Sequence, residues 1–139
     1  MNHSNVNIAA LLLRLSLGIM FVAHGLLKVM TFTLAGTAQF FEQVGFAAWM
    51  AYPVTFFEII AGILLIVGFY SRYVAFASIP VLLGALYVHL GNGWLFSAQN
   101  GGWEYPAFLT VSAIVVALLG DGEYSIRTMF TRSNQVAKA

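Results

Sequence analysis

The stretch that decides the fold runs from Ile8 to Leu27, IAALLLRLSLGIMFVAHGLL, and is closed by Lys28. A helix needs about 20 mainly apolar residues to cross the hydrocarbon core of a bilayer, and this stretch is long enough. Arg14 and His24 interrupt it, and an arginine at a helix centre costs roughly 2.5 to 3.5 kcal/mol. Each leucine, isoleucine, phenylalanine or valine favours insertion by roughly 0.3 to 0.6 kcal/mol. The apolar residues outweigh the arginine, so the stretch predicts a transmembrane helix that carries ionisable groups.

The polar groups of this helix share one face with its glycines. At about 100° per residue, one stripe of the helix contains Arg14, Gly18, Gly25 and Lys28, and His24 lies beside it. Glycines allow a second backbone to approach closely, and ionisable groups in membrane helices usually face the interior of a bundle or water. The stripe therefore predicts a face that looks towards the rest of the chain.

The composition restricts the class of protein. The chain is 60% hydrophobic and 8% charged, whereas soluble domains are nearer 25% charged, so it is an integral membrane protein. It has no cysteine, which excludes disulfides, iron–sulfur clusters and covalent haem. A net charge of +1 and the lack of a basic patch argue against nucleic acid as a partner.

Three more apolar stretches complete the predicted architecture. The predicted spans are about 8–28, 50–69, 74–90 and 103–119, and an amphipathic segment at 37–44 suits a short helix in the membrane interface. The sequence thus predicts an all-α polytopic membrane protein. It is an antiparallel four-transmembrane-helix bundle with a short interfacial helix between spans one and two. We expect residues 1–126 to form a single four-span domain and residues 127–139 to form a flexible cytoplasmic tail.

Four spans place both termini on the same side of the membrane. That side would hold Arg72, Arg127, Arg132 and Lys138, whereas the other would hold only Lys28. The positive-inside rule therefore predicts that the N- and C-termini are cytoplasmic.

Several titratable residues are predicted to meet in the outer half of this bundle. Depth along a helix can be counted at about 1.5 Å per residue, which puts His24 and Glu58 level with each other. Lys28, His89 and Glu104 come close to the same depth. We interpret Glu58 and His24 as a proton-exchanging catalytic pair, and Lys28, His89 and Glu104 as ligand-binding residues. No metal site is predicted.

Each of these residues also has a purely structural interpretation. Arg14, a further candidate for ligand binding, either snorkels to the inner headgroups or pairs with a polar site inside the bundle. Glu58 could pair with His24 or Lys28 only to hold helices together. Glu104 at the start of a helix could serve only as a favourable charge at the helix N-terminus.

Three motifs give a family resemblance. Residues 14–28 read R-L-x-L-G-x-x-F-x-x-x-G-x-x-K, and residues 57–72 read F-E-x-x-A-G-x-L-L-x-x-G-F-x-x-R. Residues 120–126 read G-D-G-E-Y-S-I. Together these motifs resemble the DoxX family of small four-helix membrane proteins, and the resemblance extends over about residues 8–126.

The resemblance implies a redox setting. Members of the family were first described as membrane subunits associated with thiosulfate:quinone oxidoreduction, and others belong to membrane oxidoreductase complexes with soluble redox partners. It implies the bacterial inner (plasma) membrane as the location and a quinone as the candidate cofactor. The candidate partners are the lipid bilayer, a soluble redox protein and a second copy of the chain. The resemblance points to Arg14, Lys28 and Glu58 as positions of the family pattern.

Different functions fit these predictions. The first is a quinone-interacting subunit of a membrane oxidoreductase, in which His24 or Lys28 hydrogen-bonds a quinone carbonyl and Glu58 exchanges protons. The alternatives are a small-solute or proton conductor, and a non-catalytic scaffold or assembly subunit. A variant of the first holds a b-type haem between His24 and His89, since bis-histidine ligation needs no cysteine. Whether the chain is itself an enzyme stays open.

Overall fold

The computed structural model describes residues 3–129, and within that range it has five α-helices of ten or more residues and no strand. The helices are α1 His3–Met30, α2 Leu34–Gln43, α3 Ala51–Val67, α4 Ser71–His89 and α5 Glu104–Leu119. Short 3₁₀ turns precede α3, at Ala48–Met50, and follow α4, at Leu90–Asn92. Most of the predicted tail at 127–139 lies outside the described residues, and its flexibility stays a prediction.

Among residues 3–129, three segments are long and apolar enough to cross a membrane. These are Ser4–Met30 and Ala48–Val67, both with a mean hydropathy of 2.1, and Ser71–Asn92, with 1.8. The fourth predicted span corresponds to α5, which has 16 residues. At about 1.5 Å per residue, α5 measures about 24 Å, whereas the hydrocarbon core is about 30 Å thick. The all-helical membrane fold is confirmed, while the count of four spans and the single domain 1–126 stay predictions.

Glycines bring α1 and α3 into backbone contact. The two helices run antiparallel, and a Cβ atom added to Gly62 would lie 2.7 Å from the carbonyl oxygen of Gly18. A Cβ atom added to Gly18 would lie 2.8 Å from the carbonyl oxygen of Gly62. Only residues without a side chain fit at this distance, so the glycine stripe of α1 faces inward as the sequence predicts.

The helices form two closely packed pairs. α1 packs most extensively on α3 and α4 packs most extensively on α5, whereas the consecutive helices α3 and α4 contact each other much less. A buried apolar core includes Leu17, Phe21, Leu65, Leu82 and Val116. On one side of this core an opening remains between the α1–α3 pair and α4, and α2 lies beside it.

The short helix α2 is fixed to the end of α1 by threonines. Thr33 caps it, since its Oγ1 accepts a hydrogen bond from the backbone N–H of Gly36 at 3.2 Å. The Thr37 hydroxyl is 2.9 Å from the carbonyl oxygen of Thr33 and 3.2 Å from that of Lys28, both of which it can donate to. The helix predicted at 37–44 is present, and it begins earlier because Thr33 provides the cap.

Candidate functional site

A cavity of about 750 Å³ lies between α1, α2, α3 and α4. Binding sites for small molecules typically measure about 300 to 1,000 Å³ and are lined mainly by apolar and aromatic side chains. This cavity fits that description. Its apolar wall includes Phe32, Phe40, Phe41, Phe46, Met50, Val54, Val81 and Val88. Its polar wall consists of Lys28, Glu58, His24, His89 and Thr37.

Lys28 and Glu58 form an ion pair in the cavity wall. Lys28 Nζ donates to both carboxylate oxygens of Glu58, at 2.5 and 2.6 Å. Glu58 is only 7% exposed, so the pair is largely withdrawn from solvent. The antiparallel packing of α1 on α3 brings the last turn of α1 beside the first half of α3, which is why these two residues meet. A lysine in the last turn of a helix also interacts favourably with the helix dipole.

His24 lies on α1 one turn before Lys28 and lines the same cavity. Its Nδ1 is 2.8 Å from the carbonyl oxygen of Met20. Its ring stacks on Tyr105 of α5, with the centroids 5.8 Å apart and the planes at 25°. The ring is therefore held in place from two sides at the edge of the ion pair.

His89, at the end of α4, lines the cavity as well. Its Nδ1 is 2.7 Å from the carbonyl oxygen of Ala85, the same arrangement within one helix that His24 shows. The edge of the ring faces the loop after α4, since a Cβ atom on Gly101 would lie 3.5 Å from His89 Nε2. The structure thus brings Lys28, Glu58, His24 and His89 to one cavity.

Arg14 lies elsewhere, at the other end of the α1–α3 pair. Its side chain is fully buried, and Nη1 donates to the carbonyl oxygens of Leu65 and Ile66, both at 2.8 Å. Nη2 donates to the carbonyl oxygen of Glu123 at 3.1 Å. The guanidinium therefore points inward rather than snorkelling. It connects α1, the end of α3 and the segment 120–126.

Glu104 also lies outside the cavity. It is the first residue of α5, and its Oε1 accepts a hydrogen bond from the backbone N–H of Phe96 at 2.7 Å. The same loop is closed by an edge-to-face contact between Trp94 and Trp103, whose ring centroids are 4.4 Å apart. Glu104 thus holds the loop between α4 and α5 in this structure.

The sequence analysis did not predict two polar residues at or near the cavity. Thr37 lines the cavity, and Tyr105 stacks on His24. The Tyr105 hydroxyl is buried and has no hydrogen-bond partner among residues 3–129. No sequence signal pointed to Tyr105, because its contact with His24 joins distant helices. The cavity-lining residues of α4 could have been found from the sequence, because they recur at helical spacing on the face that includes His89. They are Val81, Ala85 and Val88.

The fold and the site define a small all-helical membrane protein with a ligand-sized cavity that contains a buried ion pair. The model of the DoxX family matches residues 9–91, and the chain belongs to that family. The chain is similar to "Putative oxidoreductase CatD" of Bacillus subtilis (strain 168), with 36% identity over 118 residues. The aligned part is 85% of this chain and 84% of the relative. No solved structure matches the chain.

Proposed function

We propose that the chain is a quinone-binding membrane subunit of an oxidoreductase and that the cavity holds the quinone ring. The observation that carries this proposal is the apolar cavity of about 750 Å³ with the Lys28–Glu58 pair and His24 at its edge. Such a site combines a large apolar contact surface with a few polar groups that orient the ligand. The name of the Bacillus subtilis relative supports an oxidoreductase role.

The polar groups have different tasks in this proposal. A quinone carbonyl accepts hydrogen bonds, and Lys28 has a third N–H beyond the two that Glu58 engages. Quinone reduction takes up two electrons and two protons, and we assign the proton exchange to Glu58 and His24. The electrons are assigned to a soluble redox partner, because a chain without cysteine cannot hold an iron–sulfur cluster.

The proposed setting is the bacterial inner membrane, with the N- and C-termini in the cytoplasm. The positive-inside rule supports this orientation through Arg72 and Arg127, which both lie on the predicted cytoplasmic side. The lipid bilayer and a second copy of the chain are the other proposed partners. An epitope at either terminus that is accessible only from the periplasm of intact cells would reverse the orientation.

Binding of a short-chain quinone to the purified protein in detergent micelles tests the proposal. We expect saturable binding that Glu58→Gln and Lys28→Met weaken, because both substitutions disrupt the polar wall. Glu104→Gln is the matched control, since it removes a carboxylate outside the cavity and keeps an acceptor for Phe96. Absence of saturable binding of both this quinone and its reduced form by the unmodified protein would refute the proposal.

A scaffold role is the second candidate, and one observation favours it. The Lys28–Glu58 pair joins α1 to α3, so it could stabilise the bundle without taking part in any chemistry. In that case Glu58→Gln lowers stability but leaves the activity of any partner enzyme unchanged once protein amounts are matched. Loss of partner activity at matched protein amounts would exclude it.

A further inference from the structure

We propose that the cavity selects the reduced, hydroxyl-bearing form of its ring ligand, the quinol, over the oxidised quinone. This inference rests on the proposed function and adds which of the two redox forms the site recognises. The two forms have nearly the same ring and the same apolar surface. They differ in hydrogen bonding, because a quinone oxygen only accepts whereas a quinol hydroxyl also donates. The balance of free donors and acceptors in the cavity wall therefore decides between them.

The hydrogen bonds of the two histidines in the wall fix which ring nitrogen carries the hydrogen. Nδ1 of His24 is 2.8 Å from the carbonyl oxygen of Met20, and Nδ1 of His89 is 2.7 Å from that of Ala85. A carbonyl oxygen cannot donate, so Nδ1 carries the hydrogen in both rings. In a neutral imidazole the other nitrogen is then unprotonated. Nε2 of a neutral His24 ring is thus a hydrogen-bond acceptor in the wall, whereas the Nε2 edge of His89 faces the loop at Gly101.

The remaining polar groups of the wall provide few free donors. Lys28 donates to both carboxylate oxygens of Glu58, which leaves one N–H of the ammonium. The hydroxyl hydrogen of Thr37 is used by backbone carbonyl oxygens, so Thr37 can only accept from a ligand. The Glu58 carboxylate has unused lone pairs and no hydrogen. Among the described side chains that line the cavity, acceptors therefore outnumber free donors.

This imbalance favours a ligand that donates. A quinone could pair with the one free N–H of Lys28, and its other oxygen would face acceptors such as His24 Nε2. A quinol could donate to His24 Nε2 or to the Glu58 carboxylate and still accept from Lys28. A site built around such acceptors rejects analogues that lack the hydroxyl, because its own polar groups are then left unpaired. We expect the quinol to bind at least about tenfold more tightly, which corresponds to one or two hydrogen bonds.

Anaerobic calorimetric titration of the purified protein in micelles tests this with three probes that share one ring and one short alkyl tail. They are the quinol, the quinone and the quinol dimethyl ether, which keeps the ring but cannot donate. We expect the protein to bind the quinol most tightly and the quinone less tightly, and to bind the ether no more tightly than the quinone. His24→Leu should reduce the ratio of quinol to quinone affinity severalfold, whereas His89→Leu should change that ratio less, since the Nε2 edge of His89 faces the loop at Gly101. Glu104→Gln should keep the full preference.

The possible results distinguish failure of the quinol selectivity from failure of the proposed quinone-binding function. Quinone binding as tight as quinol binding would overturn the selectivity and leave the quinone-binding function in place. An ether that binds like the quinol would overturn it too, since ring contacts would then account for the affinity. If none of the probes binds, both the function and the selectivity are refuted. The ether comparison uses the unmodified chain, so it decides the question even if the His24 variant fails to fold.

Discussion

Replacing one member of the Lys28–Glu58 pair should destabilise the protein more than replacing both. Two unit charges 4 Å apart attract each other by about 4 kcal/mol at an effective dielectric constant of about 20. The contacts of 2.5 and 2.6 Å in this pair are shorter. Part of the attraction offsets the cost of withdrawing both groups from water. Loss of one partner from a buried pair typically costs about 3 to 5 kcal/mol, because the other charge stays unpaired. The Lys28 side chain is still 20% exposed, so we expect about 3 kcal/mol for Glu58→Leu.

A double-mutant cycle measures this coupling. The free energy of unfolding would be compared in micelles for the unmodified protein, Glu58→Leu, Lys28→Met and the double variant. We expect the double variant to lie within about 1 kcal/mol of the unmodified protein, since it leaves no buried charge. The same four proteins would then be titrated with the quinol. The double variant should be stable but bind weakly, which separates stability from ligand binding.

Two results would refute this reasoning. If the effects of the two single substitutions simply add in the double variant, the groups are not coupled and the contact contributes little. If the double variant binds the quinol as tightly as the unmodified protein, the pair has no part in ligand binding and the scaffold role gains support. Glu104→Gln should behave like the unmodified protein in both assays.

The other predictions concern helix packing and hydrogen bonds to the backbone. Arg14→Leu should lower the free energy of unfolding by more than about 3 kcal/mol, because it removes several hydrogen bonds from a charged donor. Each such bond contributes about 1.5 to 3 kcal/mol. Equal stability of Arg14→Leu and Arg14→Lys would contradict this. Gly62→Ala should cost about 1 to 3 kcal/mol in the same unfolding assay because the methyl group would strike α1, whereas Gly84→Ala meets nothing closer than 4.0 Å and should cost little. The Asp121 carboxylate caps the start of α4, since it accepts a hydrogen bond from the backbone N–H of Ser71 at 2.7 Å. Asp121→Ala should therefore cost about 1 kcal/mol of stability and lower the Tm measured by circular dichroism. An unchanged Tm would count against this capping role.

Counting the depth of each residue along its helix predicted only part of the candidate site. Counting residues placed Lys28, His24 and Glu58 at one level, and the structure brings all three to one cavity. The same count placed Glu104 with them, yet Glu104 bonds to a loop outside the cavity. Depth fixes one coordinate of a side chain, whereas the direction it points depends on the rotation of its helix. That rotation is set by packing, so the sequence left the partner of Glu58 open between His24 and Lys28.

The sequence by itself determined the class of protein and the approximate positions of its helices. In lipid the backbone must satisfy its hydrogen bonds within each helix, so apolar length and helical periodicity are enough to find these segments. Only the tertiary structure showed that the Arg14 side chain points inward to backbone carbonyl oxygens. Likewise, only the tertiary structure showed that α3 and α4 lie far enough apart to leave a cavity. These features depend on how helices pair and rotate. Pairing arises from contacts between distant residues such as Gly18 and Gly62, which no local pattern specifies.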